Sequence, residues 1–248
     1  MQPIESLKGK RVALIGLGIS QVDYAIGVEN GRTWDEVWTI NSAAAVYDTD
    51  RMFMLDPASR FFDSNDAGKQ TSVLTRILPD AEYPVYTCEL DERVPSAVVF
   101  PIEEVCNATG CAYLNNTVAY AIAFALWNEV EAIDLYGIDF SYKENMHFAE
   151  AGRACVEFWI SKCMDADITV GISSRSTVLD SNVPATDRLY GFHRLAKPLV
   201  AVPHENKWII GPYEDIDEKL KEHGLISVSY THLRAHETPE HLVCRLLL

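Results

Sequence analysis

Basic residues are scarce in this chain of 248 residues. Only 21 Lys and Arg stand against 36 Asp and Glu, which leaves a formal net charge of −15. A nucleic-acid-binding face needs a cation surplus to displace counterions from phosphates, so nucleic acid is excluded as a partner. The same shortage excludes a polybasic membrane-surface mode. Long apolar runs are missing too. The stretch from Ala119 to Trp127 comes closest, and it falls well short of the ~18 residues of a membrane span. Met1 to Lys10 is polar and is followed by a short buried-strand run, so no signal peptide is expected and the location is taken as cytoplasmic. The six cysteines form no CxxC pair and no metal-ligand spacing with histidine. They are expected to be free, mostly buried thiols, and no metal is expected.

What the chain has is alternation of strands and helices. Lys10–Gly16, Glu36–Asn41, Arg51–Leu55, Val85–Cys88, Ala132–Tyr136 and Ile168–Ile172 read as buried strands. Ser20–Val28, Thr71–Leu78, Ala112–Trp127, Ala149–Met164 and Tyr213–His223 read as helices. The helix to Trp127 is apolar almost all round and hence buried. The helix to Met164 carries an apolar stripe through Ala154, Phe158 and Cys163. Residues 93 to 105 contain two prolines and no period, and are expected to be irregular. Pro184 to Phe192 reads as a lid or irregular helix. This pattern predicts a single α/β domain, doubly wound around a mostly parallel sheet, spanning 1–226.

An α/β sheet binds its ligand beyond the carboxyl ends of its strands, and several strand tips here carry suitable residues. The first strand runs into Gly16-Leu17-Gly18-Ile19-Ser20 before a helix. Glycine there lets a backbone approach a ligand, the helix N-terminus favours an anion, and Ser20 can cap the helix or donate to phosphate. The turn lacks the third glycine of the dinucleotide fingerprint, and the second strand ends in Asn41 rather than an acid. The amide of Asn41 can bond a base or ribose without charge. The third strand ends in Asp56-Pro57. The strand at 132–136 ends in Gly137-Ile138-Asp139-Phe140, followed by a polar loop and His147. Asp139 reads as structural, tying the strand end through backbone N–H bonds. The Trp34/Trp38 pair reads as packing.

Taken in order, GxGxS, a strand ending in Asn, a strand ending in Asp-Pro, a polar turn before a small-residue helix, and GIDF with a downstream His resemble the bacterial α2,3-sialyltransferases. The pattern is similar also to motility-associated glycosyltransferases and to MptE-like pterin pyrophosphokinases. The resemblance covers about residues 10 to 180 and implies a Rossmann-like fold. It implies that Gly16, Gly18 and Ser20 lie on nucleotide phosphates, and that Asn41 and Asp56 contact base, ribose or sugar. Asn115, Asn116 and Thr117 would replace the family's Thr-Ser-Gly turn beside the nucleotide. His147 would be the general base toward the acceptor hydroxyl, and Tyr142 would stabilise the departing phosphate. Ile19 stands where the family usually has proline, Asp56 replaces the commoner asparagine, and the segment from Phe140 to His147 is shorter than the sialyltransferase lid.

The expected function is a transferase using a nucleotide-activated donor, most readily a nucleotide sugar, toward a small-molecule or glycan acceptor. Two alternatives stay open. One is pyrophosphoryl transfer from ATP to a hydroxymethyl heterocycle, which requires Mg²⁺. The other is a catalytically silent nucleotide-binding module, perhaps phage-encoded. No cofactor is otherwise implied, and the oligomeric state is undetermined. Residues 227–248 resemble a translated sequencing adaptor, a contaminant of metagenomic assemblies. They are expected to be artefactual, with the natural chain continuing differently after Ile226, and their His232/His236 pair is not taken as a metal site.

Overall fold

A computed structural model describes residues 1–141, 145–204 and 207–223. Tyr142 and the 227–248 tail lie outside the described residues. Seven parallel strands form one sheet in the order β5-β4-β3-β2-β1-β6-β7. They are β1 (Arg11–Ile15), β2 (Glu36–Ile40), β3 (Arg51–Phe53), β4 (Val85–Thr87), β5 (Ala97–Val99), β6 (Ala132–Tyr136) and β7 (Thr169–Ile172). The main connecting helices are α1 (Val22–Glu29), α2 (Ser59–Phe62), α3 (Lys69–Ile77), α4 (Ile102–Thr109), α5 (Thr117–Trp127) and α6 (Met146–Asp165). This is the doubly wound parallel α/β architecture that the alternation predicts. The chain leaves β1 toward β2 on one side, and β6 returns to pair with β1 on the other. That reversal of strand order is where such sheets open a ligand crevice.

Because side chains alternate across a strand, each sheet face has its own core. One face buries Val12, Leu14, Trp38, Phe53 and Leu135 against α4, α5 and α6. Phe124 of α5 anchors it, with ring centroids 4.7 Å from Tyr86, 5.4 Å from Phe53 and 5.6 Å from Trp38. The opposite face buries Met52, Met54 and Val85 beneath α2 and α3. Trp38 is thus packing, as expected. Trp34 donates from Nε1 to Asp134 at 2.6 Å, alongside the Arg32–Asp134 ion pair at 2.8 Å.

Several expectations need correction. The stretch from 93 to 105 is not irregular: it contains β5 and the first half of α4. Pro95 precedes the strand, and Pro101 stands at the α4 N-cap, positions where a missing N–H is tolerated. The helix expected from Ala112 starts at Thr117, where the Asn116 side chain accepts from the Ala119 N–H at 3.0 Å. The apolar stripe expected on α6 holds at Cys163 but is one position early at Ala154 and Phe158. Cys155, Val156, Trp159, Ile160 and Cys163 are buried, whereas Ala154 is exposed and Phe158 is 38% exposed. The thiols are free but less buried than expected: Cys155 and Cys163 lie in the core, Cys106 and Cys111 are half-buried, and Cys88 is exposed. Residues 207–212 form β9 (Lys207–Pro212), which pairs antiparallel with β8 (Leu199–His204) outside the main sheet. The segment 184–192 is a set of short 3-10 turns. No helix among the described residues is long and apolar enough to cross a membrane.

Candidate functional site

A cavity of about 730 Å³ opens at the carboxyl edge of the sheet. Its walls come from the tips of β1, β2, β3 and β6, the first turns of α5, and the α2–α3 segment. Gly16, Gly18, Asn41, Asp56, Asn115, Asn116, Thr117 and Asp139 all line it. These eight positions therefore meet, although they come from segments as far apart as Gly16 and Asp139, whereas Ser20 and His147 do not line the cavity.

The glycine turn is built differently from a phosphate grip. The Gly16 N–H donates to the Tyr136 carbonyl at 2.7 Å, and the Gly18 N–H donates to the Gly137 carbonyl at 2.7 Å. A Cβ at Gly18 would lie 2.3 Å from Asp139 Oδ2, and one at Gly16 would lie 2.5 Å from the Gly137 oxygen. Gly137 in turn has φ +65°, and a Cβ there would meet the Gly16 oxygen at 2.5 Å. These glycines let two strand tips cross backbone to backbone. Ser20 needs the plainest correction. It is fully buried, does not line the cavity, and makes no cap. Its hydroxyl donates to Asp139 Oδ1 and accepts from the Gly137 N–H at 2.8 Å, while its N–H donates to Asp139 Oδ2 at 2.8 Å. Asp139 thus ties the two strand tips together through Ser20.

The opposite wall is less settled. Asn41 sits in the left-handed region at φ +49°, and its Oδ1 is buried without a hydrogen-bond partner. Gln70 of α3 lines the same cavity, and its Oε1 is likewise buried and unpartnered. A buried acceptor without a donor costs roughly 1–3 kcal/mol, so both amides are held at some expense. Asp56 is not a bare charge, because it accepts from Arg60 Nη1 at 2.6 Å. Arg60 also donates from Nε to Asp66 at 3.3 Å, and these carboxylates raise its pKa further. Arg60, which is not among the residues expected from the sequence, lines the cavity. The signal was present in the i, i+4 spacing of Asp56 and Arg60 just past a strand tip.

On the α5 side, Asn115 donates to the Ala151 carbonyl at 3.0 Å, and Asn116 donates to the Gly152 carbonyl at 3.2 Å. These bonds dock the α5 N-terminus onto α6, so the two asparagines shape the wall as well as line it. Thr117 and Val118 carry the positive end of α5 to the cavity. His147 was expected on a loop. It lies instead in the first turn of α6, exposed, where Asn145 accepts from the Phe148 N–H at 3.2 Å. His147 is not on the cavity wall, but its neighbour Phe148 is. No cluster of three or more His, Cys, Asp or Glu side chains suited to a metal occurs among the described residues.

Fold and cavity together define an α/β protein with a ligand crevice at its topological switch point. No protein-family model matches the chain, and no curated protein matches it. Among solved structures, it is similar to the Campylobacter jejuni sialyltransferase CstII in complex with the substrate analogue CMP-3FNeuAc, at 15% identity and a TM-score of 0.47. That match covers 86% of this chain and 99% of the other. It is similar also to an α-2,3-sialyltransferase of Campylobacter jejuni in apo form, at 14% identity and a TM-score of 0.40, covering 69% and 79% of the two chains.

Proposed function

We propose that the chain is a glycosyltransferase that uses a nucleotide-activated sugar. The observation that carries this reading is the cavity itself. Its volume of about 730 Å³ falls within the range of small-molecule sites, roughly 300–1,000 Å³. It lies at the crevice of a doubly wound sheet, with two unpartnered amide oxygens on one wall and a helix N-terminus on another. Amides read a base or sugar by hydrogen bonds, and a helix N-terminus favours an anionic group.

In this reading the acceptor hydroxyl attacks the anomeric carbon of the donor. The bond from that carbon to the phosphate oxygen breaks, and the nucleotide leaves with the bonding pair. His147 takes the hydroxyl proton. Its exposure on the first turn of α6 suits a base that meets an acceptor arriving from solvent, beside Phe148 at the rim. Tyr142 keeps its expected role toward the departing phosphate. The acceptor is a small molecule or glycan.

Nucleotide released from CMP-, UDP- and GDP-sugars, measured with and without chelator, tests the reading. Turnover that survives chelation supports sugar transfer, whereas turnover of ATP that needs Mg²⁺ supports pyrophosphoryl transfer. Absence of any turnover with retained nucleotide binding leaves the silent module. His147→Ala should lower turnover by ~10²–10⁴-fold while nucleotide affinity stays within a factor of about two, because a base on the acceptor side does not touch the donor. Normal turnover in that variant removes His147 from the chemistry.

A further inference from the structure

The glycine turn has committed three of its backbone donors, and its one hydroxyl, to the protein. The N–H groups of Gly16, Gly18 and Ser20 are all bonded to the protein, and the Ser20 hydroxyl is buried against Asp139. Two acids, Asp56 and Asp139, also stand on the cavity wall. A nucleotide sugar entering there meets negative charge from a protein that is already at −15. Something else must compensate the donor's phosphate or acid group.

Among the described residues, Arg60 is the one cationic side chain lining the cavity. It is held from behind. Nη1 reaches Asp56 at 2.6 Å and Nε reaches Asp66 at 3.3 Å, with the side chain 40% exposed. A guanidinium has five N–H donors in a rigid fork, so two such bonds fix its plane and leave donors on Nη1 and Nη2 uncommitted. Nη2 makes no hydrogen bond to a described side chain or backbone group. Fixing the plane of the fork in advance lowers the ordering cost when a second oxyanion binds. Asp56 then has a use that its negative charge alone would not suggest: it positions the cation beside the site.

We propose that Arg60, positioned by Asp56 and Asp66, is the anion-recognition residue of this cavity and binds an oxyanion of the donor. This assignment rests on the nucleotide-sugar reading above. The shared chemistry is a phosphate or a carboxylate, either of which a guanidinium fork can engage through paired N–H donors. The donor's charge is then read by the α2 segment, not by the glycine turn.

Calorimetric titration of the full chain with the four ribonucleosides, their 5′-monophosphates and N-acetylneuraminate tests this. For a nucleoside that binds, its monophosphate should bind the wild type at least about tenfold more tightly, the increment expected of one charge-assisted contact. In Arg60→Gln that advantage should fall to within about twofold of unity, with nucleoside affinity unchanged and an unchanged far-UV spectrum. Arg60→Lys keeps the charge, loses the fork, and should retain part of the advantage. If Arg60→Gln keeps the phosphate advantage but abolishes N-acetylneuraminate binding, the oxyanion is the sugar carboxylate and the assignment stands. If Arg60→Gln binds every probe as the wild type does, the assignment is overturned. A wild type blind to all nucleosides and nucleotides instead overturns the nucleotide reading on which it rests.

Discussion

The two sides of the cavity are built on opposite principles. On the β1–β6 side, the donors of Gly16, Gly18, Ser20 and Gly137 are already bonded within the protein. Gly18, Ser20, Gly137 and Asp139 bond one another, and Gly16 donates to the Tyr136 carbonyl. On the β2–β3 side, an asparagine sits at positive φ, two amide oxygens lack donors, and an arginine is pinned with donors to spare. Satisfied buried networks rigidify a fold, whereas strain and orphaned polar groups persist where a ligand or water completes them. The first side is scaffold, and the second is where recognition is expected.

The sharpest way to break this comparison is Gly18→Val. If the turn were a phosphate grip, the variant would stay folded and lose only nucleotide binding. The close approach of 2.3 Å between a Cβ and Asp139 Oδ2 predicts a large loss of stability instead. Overpacking and a broken buried network together should cost about 3 kcal/mol or more. Urea denaturation followed by circular dichroism measures it, and a loss below about 1 kcal/mol would show that the turn can yield. Ser20→Ala tests the same wall more gently. It leaves the Gly137 N–H and one Asp139 oxygen without the hydroxyl, for about 2 kcal/mol of stability. The folded fraction should bind nucleotide as the wild type does. A selective loss of affinity at unchanged stability would return Ser20 to the site.

How much of this was legible in the sequence differs between the two walls. The parallel sheet and the meeting of strand tips followed from alternating buried runs and polar strand ends, because that pattern is set locally. The bonded set around Asp139 was only half legible. Its structural role followed from its place after a buried strand, but its partner Ser20 lies 119 residues away, and no periodicity links them. GxGxS therefore read as a ligand turn, when the glycines were required by another strand tip. His147 reads as a loop residue from the sequence because the polar run before it hides the Asn145 cap that starts α6. Arg60 is marked in the sequence only by its i, i+4 spacing from Asp56, and Gln70 is not marked at all, because α2 and α3 are short and the packing of Phe61 and Leu74 sets where they lie. The β5 strand and α4 were hidden by prolines that mark element starts as well as breaks.

The smallest expected effect is also the most diagnostic of the recognition wall. Gln70→Met keeps the length and most of the volume of the side chain but removes its amide. In a scaffold, deleting a buried polar group that has a partner costs stability. Here Gln70 Oε1 has no donor, so its removal lifts a desolvation penalty and leaves nothing unpaired. Without ligand, the variant should be as stable as the wild type or more stable, by up to about 1 kcal/mol, with helix propensity nearly unchanged between Gln and Met. With nucleotide or nucleotide sugar present, the order should reverse. A ligand donor that satisfies the amide in the wild type finds a thioether instead, and the stabilisation by saturating ligand should shrink. Since that stabilisation grows as RT ln(1 + [L]/Kd), a fivefold weaker Kd shows as about 1 kcal/mol less at high ligand. Melting temperatures of both chains with and without ligand make a four-point cycle. A crossing of the two stability orders places Gln70 on the recognition side. A Gln70→Met chain less stable in every condition would mean that its amide is structurally satisfied, and the contrast between the two walls would narrow to Asn41 and Arg60.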